Sequence, residues 1–133
     1  QTKSDGLLIE IQRSLYRLMA EVAATPETSE RFRSIDADSV EWLNRRIEDL
    51  KGRITLPDEF IVPGDSPAAA ALDLARAIVR RAERRVVELS ARGDVQNPEL
   101  VRYLNRLSSF LFVLEIYEVQ HGGRPPTLAK PDD

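Results

Sequence analysis

The chain has 133 residues, of which 42% are hydrophobic, 31% charged and 6% aromatic, and its formal net charge is −3. A chain of this length is expected to form a single domain over residues 1–133, with a core large enough to need no cross-links. It has no cysteine and one histidine, His121, which excludes disulfide frameworks, thiolate zinc sites, cysteine nucleophiles and motifs built on paired histidines. Because there is no apolar run of ~20 residues, no signal-peptide pattern and no basic excess, we expect a cytoplasmic protein that binds neither membranes nor nucleic acids.

Two amphipathic helices are predicted in the first half of the chain. Apolar residues recur at steps of three and four over residues 7–22, which predicts a helix that follows Gly6 and ends near Pro26. A polar connection leads to a second helix, expected to begin at Asp38 or the residue after it, with Asp38 and Glu41 as a capping box. A glycine at position 52 is expected to end this helix.

Two longer helices are predicted in the second half. Ser66-Pro67 combines an N-cap residue with proline at the first helical position, and the helix is expected to run to about Ala91. Asn97-Pro98 repeats this start signal for a fourth helix that ends at His121. From Phe110 onward the fourth helix is apolar nearly all round, which we interpret as a subunit interface. No segment alternates with period two, so no sheet is expected, and the sequence predicts an all-α antiparallel bundle of four long helices.

Arginine dominates the basic residues: of 19 lysines and arginines, 16 are arginine, and five of these lie between Arg76 and Arg85. On a helical wheel Arg76, Arg80 and Glu83 fall on one flank of the apolar stripe. Arg84 lies just beyond them. Glu83 can pair with Arg76 or Arg80, but one carboxylate cannot neutralise several guanidiniums, so an anionic ligand would complete the balance. The alternative is a solvated helix face held by surface ion pairs.

Other candidate residues have ordinary structural explanations as well. Asn105 lies beside the apolar stripe of the fourth helix, where it is either a site residue or a surface residue. Phe60, in a loop punctuated by prolines, and Phe112 are either ligand contacts or plain core residues. Glu115 and Glu118 could form a metal-binding pair only with further ligands, so no metal site is predicted.

Three strings follow one another along the chain: FIVPG from Phe60, RAIVRRAERR from Arg76 and YLNRLSSFLF from Tyr103. In this order and spacing they resemble the ATP:cob(I)alamin adenosyltransferase family of the propanediol-utilisation type. The resemblance extends from the first helix to about Gly122. It implies a five-helix bundle that assembles as a trimer, with active sites between neighbouring subunits. The family's N-terminal phosphate loop and first helix are not found in this chain, so four of the five helices are expected, followed by a flexible tail over 124–133.

The resemblance also implies a reaction. The 5′-deoxyadenosyl group of MgATP is transferred to cob(I)alamin, giving adenosylcobalamin and triphosphate. Arg76 and Arg80 would be catalytic, with Arg76 held by an aspartate of the family's first helix, and Phe60 and Phe112 would contact the corrin. The residues that would bind ATP are Arg80, Arg81, Glu83, Arg84 and Asn105.

The implied substrates are ATP with Mg²⁺ and cobalamin. The implied partners are a flavin-dependent corrinoid reductase and an enzyme that uses adenosylcobalamin. Two other functions stay open: a non-catalytic carrier that binds ATP or corrinoid, and an interaction bundle that uses its apolar fourth helix. An arginine-helix RNA binder is disfavoured by the acidic total and by the absence of aromatic residues among the arginines.

Overall fold

A computed structural model of the chain describes residues 3–24, 27–55, 61–62, 66–121 and 127–128. The elements in chain order are α1 Lys3–Ala23, α2 Ser29–Phe32, α3 Ala37–Lys51, β1 Ile61–Val62, α4 Pro67–Ala91, α5 Glu99–His121 and β2 Thr127–Leu128. The predicted all-α bundle of four long helices is confirmed, with α1, α3, α4 and α5 as those helices. Within the described ranges, none of the helices combines the length and apolar character that a membrane crossing requires.

The ends of the long helices follow local capping chemistry. The hydroxyl of Ser66 accepts a hydrogen bond from the backbone N–H of Ala69 at 3.2 Å, as an N-cap before Pro67 should. Gly52 caps α3, as predicted. Gly93 follows α4 with a φ of +81°, and the N–H groups of residues 93 and 94 bond back to the last carbonyls of the helix. This Schellman arrangement needs a residue that tolerates a left-handed backbone.

Two predicted helix starts are wrong. Helix α1 begins at Lys3, before Gly6 rather than after it. Helix α3 begins at Ala37, and its capping box is formed by Asp36 and Ser39 instead of Asp38 and Glu41. The Asp36 carboxylate accepts from the Ser39 N–H at 2.9 Å, while the Ser39 hydroxyl accepts from the Asp36 N–H at 3.3 Å. The hydrogen bonds that Asp36 receives from Ser39 lower the pKa of its carboxyl group.

The sequence pattern also predicts that there is no sheet, and this prediction is wrong in one small respect. β1 and β2 form an antiparallel ladder in which residue 61 pairs with 128 and residue 62 with 127. Strands of two residues are too short to show an alternating pattern, so the sequence gives no signal for them. The ladder joins part of the tail, which was expected to be flexible, to the loop between α3 and α4.

Helix α5 is the centre of the core, since it packs along both α4 and α3. Tyr103 and Phe110 are fully buried on it, and so are leucines at several turns. The apolar stretch after Phe110 was interpreted as a subunit interface, but the chain itself covers it. In this stretch residues 111, 113, 114, 116 and 119 are 7% exposed or less, and Phe112 is 41% exposed. The pattern is therefore explained by burial within one chain.

Candidate active site

Two contacts between α4 and α5 bring predicted site residues together. The Asn105 Nδ2 donates a hydrogen bond to Glu83 Oε2 at 3.3 Å. The guanidinium carbon of Arg76 lies 5.0 Å from the centre of the Phe112 ring, which is a cation–π distance. Arg76 precedes Glu83 by seven residues, and Phe112 follows Asn105 by seven. Because seven residues make two turns, both contacts lie on one side of an antiparallel helix pair in constant register.

An open cleft of about 310 Å³ lies beside these contacts, lined by Asp73, Arg76, Ala77, Arg80 and Arg84. The lining residues follow one another at steps of one, three and four, so they form one face of α4. Three of the predicted arginines therefore converge. Within the described part of the chain, no carboxylate oxygen lies within salt-bridge distance of any of these three arginines.

The remaining residues of the arginine cluster are placed differently. Arg81 is exposed and does not line the cleft. Arg85 lies 3.4 Å from Glu88 in an exposed ion pair, so the alternative of a solvated face holds for Arg85. Glu83, for which Arg76 or Arg80 was a possible partner, contacts Asn105 across the helix interface instead.

A buried carboxyl group lies next to the cleft. Glu115 on α5 is 6% exposed, and its Oε2 has no hydrogen-bond donor among the described residues. Burial raises the pKa of Glu115 to about 7, and the neighbouring Asp73 carboxylate adds to this effect, while the charge of Arg76 opposes it. Sequence reasoning overlooked Asp73 and considered Glu115 only as part of a metal pair. The signal that identifies both residues is the register of the two helices. Asp73 lies three residues before Arg76, and Glu115 lies three residues after Phe112, so the two carboxyl groups face each other across the antiparallel pair.

Some expectations about the site lie outside what the structure describes. Phe60, expected to contact the corrin, is not among the described residues. The aspartate that the resemblance implies as the partner of Arg76 is not assigned to a residue of this sequence. In the structure the charge of Arg76 acts on the carboxyl group of Glu115, and Asp73 lines the cleft together with Arg76. The described residues hold no group of three His, Asp or Glu side chains placed to bind a metal ion.

A second cavity, of about 230 Å³, lies near the turn between α4 and α5. One of its lining residues, Glu21, is 7% exposed and accepts hydrogen bonds from Ser34 N at 3.1 Å, Ile35 N at 3.4 Å and Asn97 Nδ2 at 2.7 Å. The Asn97 Nδ2 also donates to the Ile35 carbonyl at 2.8 Å. Because these polar groups satisfy one another, we interpret them as a structural connection between α1 and two turns rather than as a ligand site.

The cleft has the chemistry of an anion-binding site. Guanidinium groups present planar forks of donors that match phosphate oxygens, and three of them line the same cleft. The half-exposed ring of Phe112 offers an apolar surface at the edge of this cationic group. Fold and site together define a helical bundle with an arginine-lined cleft suited to a phosphorylated ligand.

Comparison with known proteins identifies the family. Residues 1–118 match the sequence model of the family described as Cobalamin adenosyltransferase. The chain therefore belongs to the cobalamin adenosyltransferase family, as the resemblance in its motifs indicated.

Individual relatives agree with this assignment. Over 109 residues the chain is 41% identical to the corrinoid adenosyltransferase PduO of Citrobacter freundii, covering 81% of this chain and 32% of that protein. It is 37% identical over 105 residues to the corrinoid adenosyltransferase of Bacillus subtilis, covering 79% of this chain and 53% of that protein. The chain thus spans about a third to a half of the length of these curated relatives.

A solved structure supports the same fold. A variant of the PduO-type ATP:corrinoid adenosyltransferase from Lactobacillus reuteri, complexed with cobalamin and ATP, superimposes with a TM-score of 0.79 at 30% sequence identity. The match covers 95% of this chain and 70% of that one.

Proposed function

We propose that this chain carries the adenosyl-transfer site of a corrinoid adenosyltransferase. In this reaction the 5′-deoxyadenosyl group of MgATP passes to cob(I)alamin, giving adenosylcobalamin and triphosphate. The observation that carries the proposal is the contact between Arg76 and Phe112. Arg76 lines the phosphate-type cleft, and its guanidinium carbon lies 5.0 Å from the centre of the apolar Phe112 ring. A nucleotide and a corrinoid need such neighbouring surfaces if they are to react with each other.

The chemistry explains why the site needs guanidinium groups and no nucleophilic side chain. Cobalt(I) attacks the 5′ carbon, a Co–C bond forms, and the C–O bond to the triphosphate breaks with its electron pair going to oxygen. The corrinoid itself supplies the nucleophile, so no side chain has to be deprotonated. Negative charge grows on the triphosphate, and preorganised guanidiniums stabilise that charge in the transition state.

We assign a role to each of these residues from its position. Arg80 and Arg84 line the cleft and would hold the phosphates. Arg76 would act at the junction with the corrin. The Glu83–Asn105 pair would fix the edge of the nucleotide site, because its hydrogen bond joins α4 and α5.

Three further residues are assigned from the family resemblance or from exposure. Arg81 would reach the nucleotide from its exposed position. Phe112 and Phe60 would contact the corrin face. For Phe112 the assignment is supported by its exposure of 41% on a helix whose other apolar residues are nearly all buried.

The assembly and cellular context belong to the same proposal. We infer a single domain that forms a homotrimer in the cytoplasm, with each site completed by a neighbouring subunit. Leu74 and Ile78 support this, because they are 64% and 56% exposed on α4, the helix that lines the cleft. Cobalt(I) must be supplied by a reductant, so a flavin-dependent corrinoid reductase and an enzyme that consumes adenosylcobalamin are the proposed partners.

An anaerobic spectrophotometric assay of adenosylcobalamin formation from cob(I)alamin and MgATP tests the proposal. Because the curated relatives are longer than this chain, the assay compares the chain with a version extended to the length of those relatives. Arg80→Ala is expected to lose about 2–4 kcal/mol of transition-state stabilisation if Arg80 holds the triphosphate. Arg85→Ala is the matched control, because Arg85 is exposed, paired with Glu88 and on the same helix.

The outcomes separate the alternatives. A loss of tenfold or less for Arg80→Ala, similar to that of the control, would favour a solvated helix face. No turnover by either polypeptide, with corrinoid still bound, would favour the non-catalytic carrier.

A further inference from the structure

The α4–α5 interface beside the cleft contains more charged groups than anion binding needs. Asp73 and Arg76 come from α4, and Glu115 comes from α5. Asp73 and Arg76 line the cleft, whereas Glu115 is 6% exposed behind it. A buried carboxyl group beside a second carboxyl group is costly unless something neutralises it, so the cluster requires an explanation.

The burial of Glu115 and its position opposite Asp73 indicate a shared proton. An ionised carboxylate only accepts hydrogen bonds, so two ionised groups in contact repel and cannot bond to each other. The Oε2 of Glu115 has no donor among the described residues, and Asp73 lies opposite Glu115 in the same register that pairs Arg76 with Phe112. A hydrogen bond with the Asp73 side chain is among the causes that raise the pKa of Glu115. A proton on Glu115 supplies the missing donor and removes one of the two charges.

The proton also changes the charge of the cleft. The charged groups that act on Glu115 are Asp73 and Arg76 of α4, and in the described part of the chain none from α1 or α3 is among them. When Glu115 is protonated, the three guanidiniums of the cleft are opposed by one carboxylate, and when it is ionised they are opposed by two. The raised pKa of Glu115, about 7, means that both forms are populated near neutral pH.

We propose that Asp73 and Glu115 form a proton-sharing carboxyl pair behind the cleft, and that a phosphate ligand enters the cleft together with one proton. This inference rests on the proposed function for the identity of the ligand. The proton comes from solvent and resides between the two carboxyl groups, and no covalent bond changes. Linkage is reciprocal: a ligand that favours protonated Glu115 must bind more tightly at lower pH. Glu115 thus acts on the ligand through the net charge of the cleft and not by contact with the ligand.

Isothermal titration calorimetry with MgATP, and separately with inorganic triphosphate, tests the coupling between pH 6 and pH 8. Titrations in two buffers of different ionisation enthalpy measure the protons taken up per ligand. For the unmodified protein we expect uptake of up to one proton near pH 7 and affinity that falls about three- to tenfold between pH 6 and pH 8, since a tenfold change corresponds to a shift of one pKa unit.

The substitution Glu115→Gln separates this coupling from a merely structural role. Glutamine keeps a donor toward Asp73 at every pH and mimics the protonated state. We expect its affinity to equal that of the unmodified protein at pH 6 and to be about three- to tenfold tighter at pH 8. The ligand's own phosphate titrates in the same range, but its contribution cancels in the comparison. Glu118→Gln, one turn later on α5, is the matched control and should behave as the unmodified protein.

A second measurement needs no ligand. Carboxyl-carbon NMR of the free protein should show Glu115 titrating near pH 7, and Asp73→Asn should move that titration to lower pH. Titration of Glu115 near its ordinary value, or undiminished proton uptake in Glu115→Gln, would overturn the inference. If neither phosphate ligand binds but Glu115 titrates as expected, the proposed function and the coupling fail together while the carboxyl pair stands.

Discussion

Replacing Phe112 with alanine should separate stability from corrinoid chemistry. Full burial of a phenylalanine side chain stabilises a protein by roughly 1.5–3 kcal/mol, and a cation–π contact at an exposed site adds about 0.5–1 kcal/mol. Phe112 is 41% exposed, and the centre of its ring lies 5.0 Å from the guanidinium carbon of Arg76. We therefore expect Phe112→Ala to lower the free energy of unfolding by about 1.5–3 kcal/mol, which leaves a domain of ordinary stability, about 5–15 kcal/mol, folded.

Phe110→Ala is the matched reference, because it makes the same change two residues away on α5. Phe110 is 0% exposed, and truncation of a fully buried phenylalanine costs about 3–5 kcal/mol. Urea unfolding of both variants gives the stability difference. MgATP titration and the anaerobic adenosylation assay then give nucleotide affinity and corrinoid turnover for the folded protein.

The expected result for Phe112→Ala is nearly unchanged MgATP affinity with slow corrinoid turnover. Unchanged turnover would refute the corrinoid role of Phe112. A loss of nucleotide affinity as large as the loss of turnover would instead show that the ring acts by holding Arg76. A destabilisation equal to that of Phe110→Ala would contradict the reasoning from exposure.

Three further predictions concern stability, each measured by chemical denaturation. Glu21→Ala should lower the free energy of unfolding by about 2–4 kcal/mol, because it removes the acceptor of three hydrogen bonds at a buried position. A loss no larger than that of an exposed control, Glu41→Ala, would contradict this. Gly93→Ala should cost about 1 kcal/mol from its positive φ alone, because an added Cβ meets no atom within 4 Å; no loss would show that the turn relaxes. The raised pKa of Glu115 means that the folded state keeps a proton that the unfolded state releases, so stability should fall as the pH rises from about 4.5 to about 7. Glu115→Gln should flatten this fall, and an unchanged pH profile would contradict the assignment.

The helix ends show which parts of the fold local chemistry determines. Ser66 and Gly52 were identified correctly because a cap depends on residues within one turn of it. The start of α3 was misplaced because Asp36 and Asp38 are equally good caps in sequence. Ile35 decides between them: its side chain is 1% exposed and its N–H bonds to the Glu21 carboxylate, which holds the backbone before α3 out of the helix. That contact is non-local and leaves no local signal.

The candidate site also has features that the sequence alone predicts and features that depend on non-local contacts. The convergence of Arg76, Arg80 and Arg84 follows from helical periodicity, so a wheel predicts it. The contact between Arg76 and Phe112 depends on the register of two helices, which one sequence does not contain. Glu115 was overlooked as part of the site because a single carboxylate in a helix looks like a surface residue until its burial is known.

The constant register of α4 and α5 limits how the length of the chain can vary in evolution. One residue inserted into α5 between Asn105 and Phe112 would turn everything after it by about 100° and shift it by about 1.5 Å. Phe112 and Glu115 would then both leave their partners on α4, while the Asn105 contact would survive. Insertions and deletions in homologous genes should therefore accumulate in the turns, such as that between α1 and α3, and be absent from this helix pair.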